Sequence, residues 1–90
     1  MKHLNIRVLG RVQGVGFRHS VRSMARYYNI RGFARNEPDG SVYIEAEGDD
    51  ESIRKFTDWC HKGPGVGRVD ELVISEGKLR GFENFEIRFN

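Results

Sequence analysis

The spacing of apolar residues changes twice from a period of two to a period of about 3.6 and returns to two each time, and this order limits the possible folds more than any other feature. Leu4, Ile6 and Val8 alternate with polar residues, a pattern typical of a half-buried strand. Residues 17–28 then place their apolar side chains on one face of a helix, and Asn29 is a suitable residue to end it. A strand and a helix therefore open the chain.

The middle of the chain predicts a β-hairpin. Residues 30–35 and 42–47 both have strand patterns, and Glu-Pro-Asp-Gly at 37–40 is typical of a tight turn. In such a turn proline fixes the first central φ angle and glycine closes the turn. Two strands joined in this way pair antiparallel.

The second half repeats the helix and the strand. A helix is expected after Asp49 or Asp50, either of which can cap it, and Gly63 with the following Pro-Gly ends it. Residues 69–75 predict a fourth strand, and residues 85–89 predict a short final strand.

The resulting order of elements is that of the split βαβ, or ferredoxin-like, α+β fold. We expect two helices packed on one face of a mainly antiparallel sheet of four to five strands, in a single domain over residues 1–90. In this topology strands one and two are parallel with strand three between them, so they end at one edge of the sheet. The expected core comprises Leu4, Ile6, Val8, Phe17, Val21, Met24, Val42, Ile44, Ile53, Phe56 and Cys60.

A glycine-rich stretch at 10–18, Gly-Arg-Val-Gln-Gly-Val-Gly-Phe-Arg, joins the first strand to the first helix. Glycines permit positive φ angles, so successive N–H groups can converge on an anion, and the helix N-terminus adds further unpaired N–H groups. Arg18 adds a planar set of donors at the same place. The stretch predicts either a cradle for an oxyanion such as phosphate or a plain turn, and the glycines alone do not choose between them.

Asn36 comes directly after the second predicted strand. It is expected at the same sheet edge as Arg18, since only two strand spacings of about 4.8 Å separate strands one and two. Its amide either faces a ligand shared with Arg18 or serves the neighbouring turn, where asparagine is common.

Composition indicates an ordinary globular domain, with 38% hydrophobic and 31% charged residues. The net charge of +2 is too small to indicate nucleic acid or membrane binding, and no apolar block has the length of a signal peptide or a membrane span. A single cysteine, Cys60, rules out an internal disulfide framework, and with His61 alone beside it no metal site is indicated. We expect a cytoplasmic monomer in which Cys60 is a small core residue.

Two segments resemble the acylphosphatase family. Residues 10–18 resemble the first motif of that family throughout, and Gly-Phe-Ala-Arg-Asn at 32–36 resembles the second, with Gly40, Val42 and Gly48 at the expected offsets. The resemblance extends over nearly the whole chain, including Phe-Glu-Ile-Arg-Phe at 85–89.

The resemblance implies hydrolysis of acyl phosphates to a carboxylate and inorganic phosphate, without a metal, a cofactor or a covalent intermediate. The phosphate-binding arginine of the family corresponds to Arg18, and its water-orienting asparagine corresponds to Asn36. The implied partners are a small-molecule acyl phosphate and inorganic phosphate, with no nucleic acid and no membrane. The implied phosphate-binding residues are Gln13, Gly14, Val15, Gly16, Phe17 and Arg18.

The chain departs from the family pattern in two places. Gly65 and Gly67 stand in the loop where many members have Gly-Pro-Pro, followed by alanine before the arginine. In some members the C-terminal carboxylate lies near the arginine, whereas Asn90 extends this chain one residue past the usual terminal aromatic.

Other functions are compatible with parts of the sequence. Arg-Gly-Phe-Ala at 31–34 matches the opening of an RNA-recognition motif, but Arg35 and Asn36 stand where phenylalanine and valine are expected. The domain could instead be a non-catalytic binding module or part of a hydrogenase-maturation carbamoyltransferase, although one domain is short for the latter. His19, beside the loop, is either an acid–base candidate or a polar helix residue.

Overall fold

A computed structural model of the chain describes residues 1–65 and 67–89. Its elements follow the predicted order, and their bounds lie within about two residues of the expected ones, except that β1 continues three residues past Val8. Asn36 is the last residue of the second strand instead of following it. The elements are β1 Lys2–Arg11, α1 Phe17–Tyr27, β2 Arg31–Asn36, β3 Val42–Gly48, α2 Asp50–Lys62, β4 Arg68–Gly77 and β5 Phe85–Arg88.

The five strands form one mixed sheet in the order β4-β1-β3-β2-β5. Strand β3 is antiparallel to both β1 and β2, so β1 and β2 are parallel to each other and end at one edge. Strand β4 pairs antiparallel with β1, and β5 pairs parallel with β2. The topology confirms the ferredoxin-like prediction, including the position of β3 between β1 and β2.

Both helices pack on one face of this sheet over a shared core. Ten of the eleven predicted core residues are buried, and the exception is Met24, which is only partly buried. Phe17, Val21 and Ala25 occupy the core-facing positions of α1, so Met24 lies about 100° round the helix from Ala25. It lines a groove between the helices with Trp59.

The helix ends follow the predicted chemistry. Asp49, and not Asp50, caps α2, because its carboxylate accepts a hydrogen bond of 2.8 Å from the backbone N–H of Ser52. Asn29 has a φ of 60°, the left-handed conformation that commonly terminates a helix. Neither helix in the described part of the chain is long and apolar enough to cross a membrane.

The face of the sheet opposite the helices carries a buried polar cluster that local pattern did not predict. Glu47 is buried there and accepts backbone hydrogen bonds from Arg80, Gly81 and Phe82, with distances of 3.0 and 3.3 Å for the last two. Its carboxylate also lies 2.7 Å from Nδ1 of His3. These contacts hold the connection between β4 and β5 against the sheet.

The contacts of Glu47 make stability depend on pH. Burial opposes its charge, but hydrogen bonds from Arg80, His3, Phe82 and Gly81 outweigh burial and lower the pKa of this carboxyl. A carboxyl whose pKa is lowered by folding stabilises the protein above its unfolded pKa, and the stabilisation is lost as the pH falls through the folded pKa. Glu47 therefore contributes stability at neutral pH that acid removes.

We expect Glu47→Gln to lower the free energy of unfolding by about 2 kcal/mol at pH 7, because buried donors lose a charged acceptor. The difference from wild type should shrink as the pH falls below the unfolded-state pKa of about 4.3 and approaches the lowered pKa of the folded carboxyl. Urea unfolding at several pH values measures both effects, with the exposed Glu86→Gln as the control. A difference that stays constant from pH 7 to pH 3 would contradict this role.

Cys60 is fully buried on α2, and burial raises the pKa of its thiol. We expect the thiol to be unreactive toward a thiol-specific reagent in the folded protein and reactive in urea. Cys60→Ala should lower the free energy of unfolding by about 1 kcal/mol, as small core truncations do. Rapid modification of the native protein would contradict the packing role.

Candidate active site

The loop between β1 and α1 takes a conformation that requires glycine at two positions. Gly14 has a φ of 74° and Gly16 a φ of 76°, both in the left-handed region. A Cβ atom added at either position would meet nothing within 4 Å, so the backbone conformation and not crowding requires glycine. The space beside the loop is therefore open to a ligand.

Gly10 does not belong to this loop, contrary to the sequence prediction. It lies in β1, where the pairing with β4 shifts register between Leu9 and Gly10. The prediction grouped three glycines by their spacing, whereas only Gly14 and Gly16 shape the loop.

The N-terminus of α1 directly follows this loop, and on the helix no side chain caps its free N–H groups or offsets its partial positive charge. Its N-cap is Gly16, so no side chain caps the first N–H groups, and the first turn contains no acidic residue. The first helical hydrogen bond runs from the N–H of Ser20 to the carbonyl of Gly16 at 3.1 Å. Arg18 lies in this turn and adds its charge to the positive end of the helix. The arrangement favours an anion over a cation or an apolar ligand.

Gln13 ties the loop to the hairpin that follows Asn36. Its side-chain amide donates to the carbonyls of Glu37 and Ser41, at 2.8 and 2.9 Å. Both protons of the amide are therefore committed to the hairpin turn, and only the backbone N–H of Gln13 remains as a donor toward an anion. The contact brings the predicted phosphate loop against the residue next to Asn36.

Asn36 is partly buried at the end of β2, where it pairs with Val42 of β3. Other residues close the turn that follows. The N–H of Gly40 donates to the carbonyl of Glu37, and the carboxylate of Asp39 accepts from the N–H and the hydroxyl of Ser41. Asp39 therefore closes this turn with its carboxylate.

Arg18 is partly buried, and its guanidinium lies over an aromatic ring. The guanidinium carbon is 5.0 Å from the centroid of the Phe89 ring. Strand β5 pairs with β2 up to Arg35 and Arg88, so Phe89 directly follows the paired part of β5, as Asn36 follows that of β2. Arg18 of α1 and Phe89, the residue after β5, therefore meet at the sheet edge where β1 and β2 end.

Sequence reasoning missed the contact of Phe89 with Arg18 and the two hydrogen bonds from the Gln13 side chain. The alternation of Phe85, Ile87 and Phe89 indicated only a strand. The paired strand register, which depends on the whole fold, is what brings Phe89 to the site. The C-terminal carboxylate of Asn90, considered as a contact of Arg18, lies outside the described residues.

The remaining candidates lie away from these contacts. His19 is exposed on α1 and lines the groove between the helices, and His61 is exposed on α2. Within residues 1–65 and 67–89, no three His, Cys, Asp or Glu side chains are grouped in a way that could hold a metal ion.

Comparisons with known proteins agree on one family. A model of the acylphosphatase family matches residues 4–87. An acylphosphatase from Thermotoga petrophila is 43% identical over 89 residues, which cover 99% of this chain and 99% of that protein. The crystal structure of acylphosphatase from Bacillus subtilis has a TM-score of 0.94 at 35% identity, covering 98% of this chain and 99% of that chain.

A likeness also exists to one part of a longer protein. HypF of Thermococcus kodakarensis matches with a TM-score of 0.87 and 35% identity over 100% of this chain, but only 12% of the HypF chain is covered. The acylphosphatase relatives, in contrast, are matched along nearly their whole length.

We expect Gln13→Met, which keeps the length of the side chain but removes both donors, to lower the free energy of unfolding by about 2 kcal/mol. The affinity for inorganic phosphate should fall with it, because the loop loses its tie to the hairpin. Urea unfolding and a phosphate titration followed by backbone amide chemical shifts measure the two effects. A folded variant with wild-type phosphate affinity would show that the loop keeps its shape without this side chain.

Proposed function

Because this chain belongs to the acylphosphatase family, whose members hydrolyse acyl phosphates, we propose that Arg18 and Asn36 carry out that reaction here. Arg18 and the backbone of Gln13, Gly14, Val15, Gly16 and Phe17 hold the phosphate, and Asn36 orients the attacking water. The observation that carries the proposal is the contact between the loop and the turn that follows β2, made by the Gln13 amide to the carbonyls of Glu37 and Ser41.

Phosphoryl transfer depends mainly on positioning and on stabilising charge at the phosphate oxygens. Backbone N–H groups of the loop and the start of α1 supply fixed donors, and Arg18 supplies a planar pair of donors for two oxygens. Since α1 has no acidic residue in its first turn, no nearby carboxylate on that turn weakens the attraction for the phosphate.

The acyl phosphate needs no general acid, because its leaving group is a carboxylate whose conjugate acid has a pKa of about 4. The water oxygen forms a bond to phosphorus while the bond from phosphorus to the acyl oxygen breaks. The proton of the water passes to an oxygen of the phosphate itself. Asn36 is too weak a base to remove it, but its amide can both donate to and accept from the water and so place it in line.

The proposal also covers the cofactor requirement, the acyl specificity, the cellular location and the oligomeric state. The proposed mechanism assigns no step to a metal ion, and a cradle that contacts only the phosphate should accept a range of acyl groups. We place the protein in the cytoplasm, acting as a monomer with a single domain over residues 1–90. Inorganic phosphate should inhibit competitively, since it occupies the same loop.

Nucleic-acid binding is the alternative that the fold raises. Single-stranded RNA is bound on sheets that expose aromatic rings for stacking. Here Phe33 is only 2% exposed, because Phe82 and the guanidinium of Arg88 pack on its ring. This covering supports hydrolysis over RNA binding.

The two proposed catalytic residues should differ in their kinetics. Arg18→Lys should weaken inorganic phosphate binding and also lower turnover, by about 10²–10³-fold, because a point charge cannot replace a planar pair of donors. Asn36→Ala should leave phosphate binding nearly unchanged while turnover collapses, because the cradle remains but the water is not placed. Turnover of benzoyl phosphate and the dissociation constant of inorganic phosphate distinguish the two variants.

Arg22→Lys, on the same helix as Arg18, is the matched control and should match wild type in both measurements. All assays are repeated with excess EDTA, which should change nothing. Equal loss of phosphate affinity in Arg18→Lys and Asn36→Ala would contradict the division of roles. Full turnover in folded Asn36→Ala would show that another group holds the water.

A further inference from the structure

We propose that Phe89 is a positioning residue that holds the guanidinium of Arg18 through its flat face and leaves the N–H donors of Arg18 available for phosphate. The inference rests on the proposed role of Arg18 as the phosphate ligand. It adds to the site a residue that lies outside both family motifs, at residues 10–18 and 32–36.

The geometry is that of a cation–π contact. The guanidinium carbon of Arg18 lies 5.0 Å from the Phe89 ring centroid, within the distance of about 6 Å at which such contacts are effective. The ring attracts the positive charge through its π face, whereas the guanidinium donors lie in the plane of the group. A ring can therefore fix an arginine without occupying its hydrogen-bond donors.

Within the part of the chain that the structure describes, Arg18 has different contacts from the other arginines that lie over rings. Four such arginines also have a carboxylate oxygen within 4.0 Å, in the pairs Arg7–Asp39, Arg35–Glu37, Arg80–Glu45 and Arg88–Glu86. Within residues 1–65 and 67–89, Arg18 has a ring contact and no such carboxylate. A carboxylate would compete with phosphate for the same donors and neutralise the charge, and a ring does neither.

The position of the ring is set by the fold. Phe85 is buried in the core and pairs with Gly32, and the pairing of β5 with β2 continues to Arg88. Phe89 follows directly, on the same side of the strand as Phe85 by strand alternation. The paired strand β5 thus places the following Phe89 beside Arg18, although 79% of Phe89 itself is exposed.

The test compares Phe89→Leu, which removes the ring, with Phe89→Tyr, which keeps it. Phe89→Leu should weaken inorganic phosphate binding about two- to five-fold and lower kcat/KM by a similar factor, as expected for one cation–π contact at an exposed position. Phe89→Tyr should retain wild-type values. The matched control is Tyr27→Leu, which removes an equally exposed ring that packs against the ring of Tyr28.

A second measurement reports the contact itself. The side-chain protons of Arg18 should show an upfield ring-current shift in the NMR spectrum of the wild-type protein. We expect this shift to persist in Phe89→Tyr and to disappear in Phe89→Leu. Unchanged phosphate affinity in Phe89→Leu, or a wild-type spectrum without the shift, would overturn the proposal.

Failure of the proposed function would look different. If wild type does not hydrolyse benzoyl phosphate, the proposed function is wrong, whatever Phe89 does. If Arg18→Lys binds phosphate as wild type does, Arg18 is not the phosphate ligand. If Arg18→Lys loses affinity and Phe89→Leu does not, Arg18 keeps its role and the proposal for Phe89 is wrong.

Discussion

The antiparallel pairing of β3 with both β1 and β2 is the constraint on which the site depends. Because β3 runs opposite to each neighbour, β1 and β2 are parallel and end at the same edge of the sheet. That edge receives the glycine loop after β1 and the turn after β2, and the amide of Gln13 joins them. Without this hairpin, the glycine loop and Asn36 would not lie at the same edge of the sheet.

The sequence predicted the element order and most of the core, because the period of apolar residues directly reflects which side chains are buried. Leu4, Ile6 and Val8 are buried as their alternation indicates. Met24 is the exception, because it is only partly buried. It belongs to the apolar stripe of α1, but that stripe is wider than the surface the sheet covers, and Ala25 takes the core position.

Contacts made across the fold could not be predicted in this way. Glu47 alternates with core residues of β3, a pattern that indicates a solvent-exposed position, yet it is buried. The connection between β4 and β5 crosses that face and supplies backbone N–H groups from Arg80, Gly81 and Phe82. The path of a connection depends on tertiary packing, which local spacing does not encode. The same holds for the contact between Phe89 and Arg18.

The fold alone does not determine the activity, since one fold can carry unrelated functions. In this protein the sheet face and the sheet edge differ in how their positive charges are placed. On the face of the sheet opposite the helices, Arg35 and Arg88 lie over Phe33 and pair with carboxylates, so both the ring and the charges are already engaged. At the edge, Arg18 lies beside a helix N-terminus that lacks a side-chain cap and an acidic residue. The positive end of α1 and the guanidinium of Arg18 thus place donors at this edge of the kind that stabilise a phosphoryl group.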